Sequence, residues 1–186
     1  MRVISGQARG HKLRTPEGRS TRPTTDRIKE SLFNIISPDL YDCEFLDLFS
    51  GSGAIGIEAL SRGAKESIFV DSSNKCKEII ESNLKFTKLF DKAKVYKKDV
   101  LEAIYLLGRE NKKFDIIFLD PPYNEGLTEP TLKAIIDSDI LKKQGYIIVE
   151  SSSKLPIPKI SNIKQLREKN YKTTTMTFFG LEDKDA

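Results

Sequence analysis

Long hydrophobic runs, histidine and closely spaced cysteines are scarce in this sequence, and each scarcity narrows what the chain can do. Its apolar runs, such as Phe114-Asp-Ile-Ile-Phe-Leu119 and Ala103-Ile-Tyr-Leu-Leu107, fall far short of the roughly 20 residues that span a bilayer. The opening residues, Met1 to Gly10, carry positive charge without an apolar core, so no secretory signal is expected and the cytoplasm is the default location. Cys43 and Cys76 are the two cysteines and form no close pair, which argues against a disulfide framework or a zinc site. His11 is the single histidine and no carboxylate–histidine cluster accompanies it, so no protein-held metal is expected.

What is present is the composition of an ordinary globular protein: 186 residues, 38% hydrophobic and 31% charged. A chain of this length fits one domain and buries about 70% of its unfolded surface. Its formal net charge of +4 is unevenly spread. Residues 1–30 hold eight basic side chains (Arg2, Arg9, Lys12, Arg14, Arg19, Arg22, Arg27, Lys29) against Glu17, Asp26 and Glu30. That segment therefore carries +5, which leaves −1 on the remainder. A basic arm on a near-neutral body is the footprint of a protein that touches a polyanion, although solvated termini are often basic too.

From Cys43 onward, short apolar runs alternate with helical patterns. Cys43–Phe49 reads as a buried strand, followed by a glycine turn and a helix over Ala54–Gly63. Glu66–Asp71 is a second strand, with Ser72 or Ser73 capping a helix through Phe86. Lys92–Asp99 is a third strand, before a helix over Val100–Gly108. Lys113–Asp120 is a fourth and the most apolar, ending at Pro121. A helix over Leu127–Asp137 and a fifth strand over Gln144–Ser151 follow, and Asn162–Lys172 with Thr173–Gly180 close the chain as an antiparallel pair. Strands separated by helices predict an α/β fold whose parallel sheet is covered on both faces. Upstream, Thr24–Ile36 places Ile28, Leu32, Ile35 and Ile36 on one helix face that ends before Pro38, and residues 1–22 alternate loosely enough for a hairpin.

Two constellations carry chemistry. In the first, Asp47 precedes Gly51, Gly53 and Gly56 at a strand-to-helix turn, and Asp71 ends the next strand. Small residues there let a ligand approach the backbone, and free N–H groups sit at the helix start. The glycine spacing also satisfies the dinucleotide fingerprint, so an oxidoreductase is a rival reading. Asp47 weighs against it, because a carboxylate at that strand end repels a pyrophosphate and suits the amino group and sulfonium of S-adenosylmethionine.

The second constellation is Asp120-Pro121-Pro122-Tyr123, after the fourth strand. Consecutive prolines fix φ and remove two donors, so their carbonyls stand out as acceptors. A carboxylate and a rigid carbonyl make a two-acceptor clamp for an –NH₂ group, and Tyr123 offers a face on which its base can stack. Gripping both hydrogens favours a pyramidal nitrogen whose lone pair can attack.

Taken with Arg22-Pro-Thr-Thr-Asp-Arg-Ile-Lys-Glu30, these motifs resemble the RsmD family, the bacterial 16S rRNA guanine-N2 methyltransferases. The resemblance spans nearly the whole chain. It implies a Rossmann-like, seven-stranded, mostly parallel sheet with an antiparallel C-terminal strand. It also implies a basic N-terminal hairpin and helix (1–36) that contacts RNA, ahead of a catalytic domain (37–186). The implied cofactor is S-adenosylmethionine, contacted at Asp47, Gly51, Gly53, Asp71 and, near the adenine, Asp99. Asp120, Pro121 and Tyr123 are the implied catalytic residues; Arg9, Lys12, Arg14, Arg19 and Arg22 are the RNA contacts expected from the arm. The partner is 16S rRNA, within the small ribosomal subunit or an assembly intermediate. An adenine-N6 or cytosine-N4 DNA methyltransferase shares the second motif, but this chain leaves no segment for a recognition domain. A non-catalytic assembly factor is the remaining alternative, and mere binding needs no amine clamp.

Overall fold

A computed structural model describes residues 1–17 and 25–183. Helix α1, Asp26–Ile36, starts where the Thr25 hydroxyl accepts from the Ile28 amide at 3.2 Å. It buries Leu32 and Ile36 of the expected stripe together with Phe33, while Ile28 and Ile35 are half-buried. The α/β alternation follows: β1 Glu44–Leu48, α2 Ala54–Ser61, β2 Glu66–Asp71, α3 Asn74–Phe86, β3 Ala93–Lys97, α4 Val100–Arg109, β4 Phe114–Leu119, α5 Thr128–Asp137 and β5 Leu141–Ser152. Strands β6, Ile163–Asn170, and β7, Thr174–Leu181, end it. Ser73 caps α3 through the Cys76 amide, and Asp99 caps α4. Among the described residues, no helix is long and apolar enough to cross a membrane.

The seven strands form one sheet in the order β3-β2-β1-β4-β5-β7-β6. The first five are mutually parallel, and β7 runs antiparallel to both β5 and β6. Strand β5 starts earlier than its apolar run suggests. Phe114 pairs with Leu141, then the register shifts so that Ile116 meets Tyr146, and the polar stretch Lys142–Gln144 is carried in that irregularity. The edge strand β6 is exposed along nearly its whole length, and its charged side chains guard the open edge.

Residues of alternate parity serve opposite faces. Phe45, Phe69, Phe118 and Ile148 pack with α1, α2 and α3. Leu46, Leu48, Ile117 and Leu119 pack with α4 and α5. The N-terminal arm belongs to the first face, where Val3, Ala8 and Leu13 are buried. It returns on itself as expected, yet among the described residues its ladder is a single bridge, Arg2 to Lys12. Most of its anchoring runs to α2 and α3. The Ile4 and Ser5 amides donate to the Glu58 carboxylate, and the Ala8 amide donates to the Ser61 hydroxyl.

Candidate active site at the strand ends

The strand order reverses between β1 and β4, so the loops leaving their carboxyl ends diverge and open a crevice. The two motifs fall on these two loops. Register extends this into a row. Asp47 pairs with Phe69 and Phe118 across the sheet, so Asp71 and Asp120, each two residues on from those partners, share its face. The rung after Leu119–Val149 brings Glu150 beside Asp120. Four carboxylates therefore edge one end of one face, at the carboxyl ends of β1, β2, β4 and β5.

Each has a distinct environment. Asp47 is buried, and its Oδ2 accepts from the Gly56 amide at 3.0 Å. Asp71 holds the turn from the other side: Oδ2 accepts from the Gly51 amide and Oδ1 from the Ser73 amide, both at 2.9 Å. Ser50 ties the strands together, its amide donating to the Val70 carbonyl and its hydroxyl accepting from the Val70 amide. Gly51 and Gly53 have φ of +59° and +79°, which an L side chain adopts only at a cost. At Gly51 a Cβ would meet open space, so the backbone there is accessible to a ligand, whereas at Gly56 it would strike the Phe69 ring at 2.4 Å.

Burial pushes the Asp47 carboxyl well above the usual carboxylate range, and the Asp71 charge adds to that push against the Gly56 hydrogen bond. Asp120 is also raised well above that range, by burial first and then by the Glu150 and Asp47 charges. A buried carboxyl pushed up in this way, as at Asp47, is relieved by a ligand bringing positive charge. Beyond Asp120 lies a cavity of about 330 Å³, walled by Pro121, Pro122 and Tyr123 on one side and by Leu155 and Ile157 on the other, with Glu150 among its lining. Tyr123 is 39% exposed at the mouth of this cavity.

Asp99 follows β3; its Oδ1 accepts from the Leu101 and Glu102 amides, as a helix cap does. Arg9, Lys12 and Arg14 are exposed. Arg19 and Arg22 lie outside the described residues. His11 turns its ring edge to Phe86, with centroids 5.0 Å apart.

Three features were not singled out from the sequence. Glu150 is one, though it repeats the pattern of an acidic residue closing an apolar strand. Asn83 is another: it donates to the Arg14 and Ser52 carbonyls and accepts from the Arg14 amide, joining the arm to the glycine turn. The third is a fully buried ion pair, Lys29 with Glu58 at 3.2 Å, which Arg62 joins at 2.9 Å. It makes one residue of the Arg22–Glu30 signature an anchor for the arm.

Known proteins resemble this chain over nearly its whole length. The family model described as conserved hypothetical protein 95 matches residues 1–180. The Bacillus subtilis (strain 168) protein YlbH is 40% identical over 180 residues, covering 96% of this chain and 98% of its own. Ribosomal RNA small subunit methyltransferase D of Escherichia coli (strain K12) is 36% identical over 170 residues, covering 91% of this chain and 84% of its own. The solved structure of the Escherichia coli protein yhhF superposes with a TM-score of 0.88 at 32% identity, over 99% of both chains.

Proposed function

The chain belongs to the ribosomal RNA small subunit methyltransferase D (RsmD) family, and we propose that it methylates the exocyclic N2 amine of one guanine in 16S rRNA. The methyl donor is S-adenosylmethionine, which supplies a methyl group already activated on a sulfonium. The observation that carries the reading is Asp120-Pro121-Pro122-Tyr123 at the point where the strand order reverses, opening on a cavity.

The donor suits the residues around it. Its positive charge offsets the carboxylate of Asp47, whose burial otherwise penalises ionisation. Gly51 and Gly53 leave room for its close approach, Asp71 takes its ribose, and Asp99 lies towards its adenine. Asp120 and the Pro121 carbonyl hold the two amine hydrogens, which aims the nitrogen lone pair at the methyl carbon. Alignment of that kind is worth about 7–11 kcal/mol. The base leaves its stack at a cost of a few kcal/mol, and stacking on Tyr123 returns about 1–3 kcal/mol. After transfer the nitrogen is strongly acidic, and its proton passes to the Asp120 carboxylate or to water.

On the substrate side, Arg9, Lys12, Arg14, Arg19 and Arg22 meet phosphates of the RNA, within the small subunit or an assembly intermediate. Residues 1–36 act as the RNA-contacting extension and residues 37–186 as the catalytic domain. The test is incubation with radiolabelled S-adenosylmethionine and small subunits from a strain lacking the protein, followed by nucleoside analysis. N2-methylguanosine is the expected product; N6-methyladenosine would overturn the assignment.

A further inference from the structure

The mechanism above assigns a role to Asp120 and none to the carboxylate beside it. Glu150 ends the apolar run of β5, 3% exposed, on the rung next to Asp120 and on the same sheet face. It also lines the cavity that Pro121, Pro122 and Tyr123 wall. Its charge opposes the ionisation of Asp120, and a ligand that brings hydrogen-bond donors to both carboxylates relieves that opposition.

An ionised carboxylate only accepts hydrogen bonds. A base drawn into this cavity is read along its Watson–Crick edge. Guanine presents two neighbouring donors on that edge, the N2 amine and the N1–H. Adenine presents its N6 amine beside N1, which is an acceptor, and cytosine presents N4 beside the acceptor N3. Two adjacent carboxylates match the guanine edge and oppose the other two. We propose that Glu150 is the specificity-determining residue of this site, accepting the guanine N1–H while Asp120 and the Pro121 carbonyl hold the N2 amine.

This inference rests on the guanine-N2 reading and gives it a physical basis separate from family resemblance. It also divides the labour at the cavity: Tyr123 and the prolines, which wall it, offer the ring a face, and the carboxylate pair fixes which edge points inward.

The test uses an analogue. 2-Aminopurine keeps the amine at C2 but has an acceptor at N1. Small subunits are reconstituted with RNA carrying either guanosine or 2-aminopurine riboside at the position mapped by product analysis. Methyl transfer to each is then timed with the wild-type protein and with Glu150→Gln. The wild type is expected to prefer guanosine by about a hundredfold or more, since a site built to bond an N–H rejects a ligand lacking it. In Glu150→Gln the amide can donate to N1, so the preference should shrink by at least about tenfold. The change in ratio between the two proteins cancels any intrinsic difference between the bases. A wild type that methylates both bases within about threefold overturns the inference without any variant. A Glu150→Gln protein that binds S-adenosylmethionine as the parent does, yet keeps the parent's preference, overturns it as well. In both cases N2-methylguanosine is still formed and the proposed function stands. A wild type that modifies an adenosine instead defeats the function and this inference together.

Discussion

Lys29→Met should loosen the arm and cost the protein measurable stability. The Lys29 ammonium donates to the Arg2 carbonyl and pairs with Glu58, and both side chains of the pair are fully buried. Met keeps most of the stem and removes the charge. Breaking a buried pair by removing one partner typically costs about 3–5 kcal/mol. Two features reduce this. Glu58 keeps Arg62 and the amides of Ile4 and Ser5. The variant also avoids burying an ammonium, the same desolvation that holds the Lys29 pKa below its ordinary value. A net loss of about 2–3 kcal/mol follows, or roughly 5–10 °C in Tm for a domain of this size. Urea unfolding would read it directly, and Lys29→Met combined with Glu58→Gln should recover part of the loss, because the two sites are coupled. A Lys29→Met protein within about 0.5 kcal/mol of the parent would refute the reasoning and make the pair incidental.

Other perturbations have distinct readouts. Asp71→Ala removes the acceptor for the Gly51 amide together with the proposed ribose contact; calorimetry should show S-adenosylmethionine binding weakened by about 1–3 kcal/mol, and unchanged affinity would move that contact elsewhere. Alanine at Arg9, Lys12, Arg14 and Arg19 together should flatten the salt dependence of RNA binding by roughly one log unit per lost phosphate contact, with cofactor affinity retained. An unchanged slope would make the arm a solvated segment. Asp47 predicts a pH effect on the ligand-free protein. Its carboxyl pKa is raised by folding, so its neutral form favours the folded state below the unfolded value of about 3.9, and that stability is lost as pH rises through the folded pKa. Asp47→Asn keeps an acceptor for Gly56 and should flatten this dependence when urea midpoints are compared across pH; parallel curves would contradict it.

The core of the fold was legible because its strands are short apolar runs between caps and turns. Glu66–Asp71 matches β2 end to end, and Ser73 is one of the two caps expected for α3. The fold departs where bonding is not periodic. The arm alternates loosely in sequence, yet its amides go to Glu58 and Ser61 on α2, partners no local pattern announces. Lys29 counts in the sequence as one more basic side chain of the arm and proves buried, because its partner Glu58 is 29 residues away in the chain. Asn83 sits among polar neighbours on α3, where nothing distinguishes a side chain facing Ser52 from one facing water. At the site, glycine spacing and the proline pair stand out because few backbones require them. Glu150 does not stand out, because its meaning comes from β5 lying beside β4, a matter of strand order and not of spacing along the chain.

The account turns on Asp120 gripping the amine without holding the cofactor. A single-turnover measurement with Asp120→Ala, at saturating S-adenosylmethionine and with unmethylated small subunits, separates these directly. The predicted result is methyl transfer slowed by about a hundredfold or more, with cofactor affinity within about twofold of the parent, as expected when one preorganised partner is removed. Transfer at a rate close to the parent's would contradict the clamp and with it the proposed chemistry of the site.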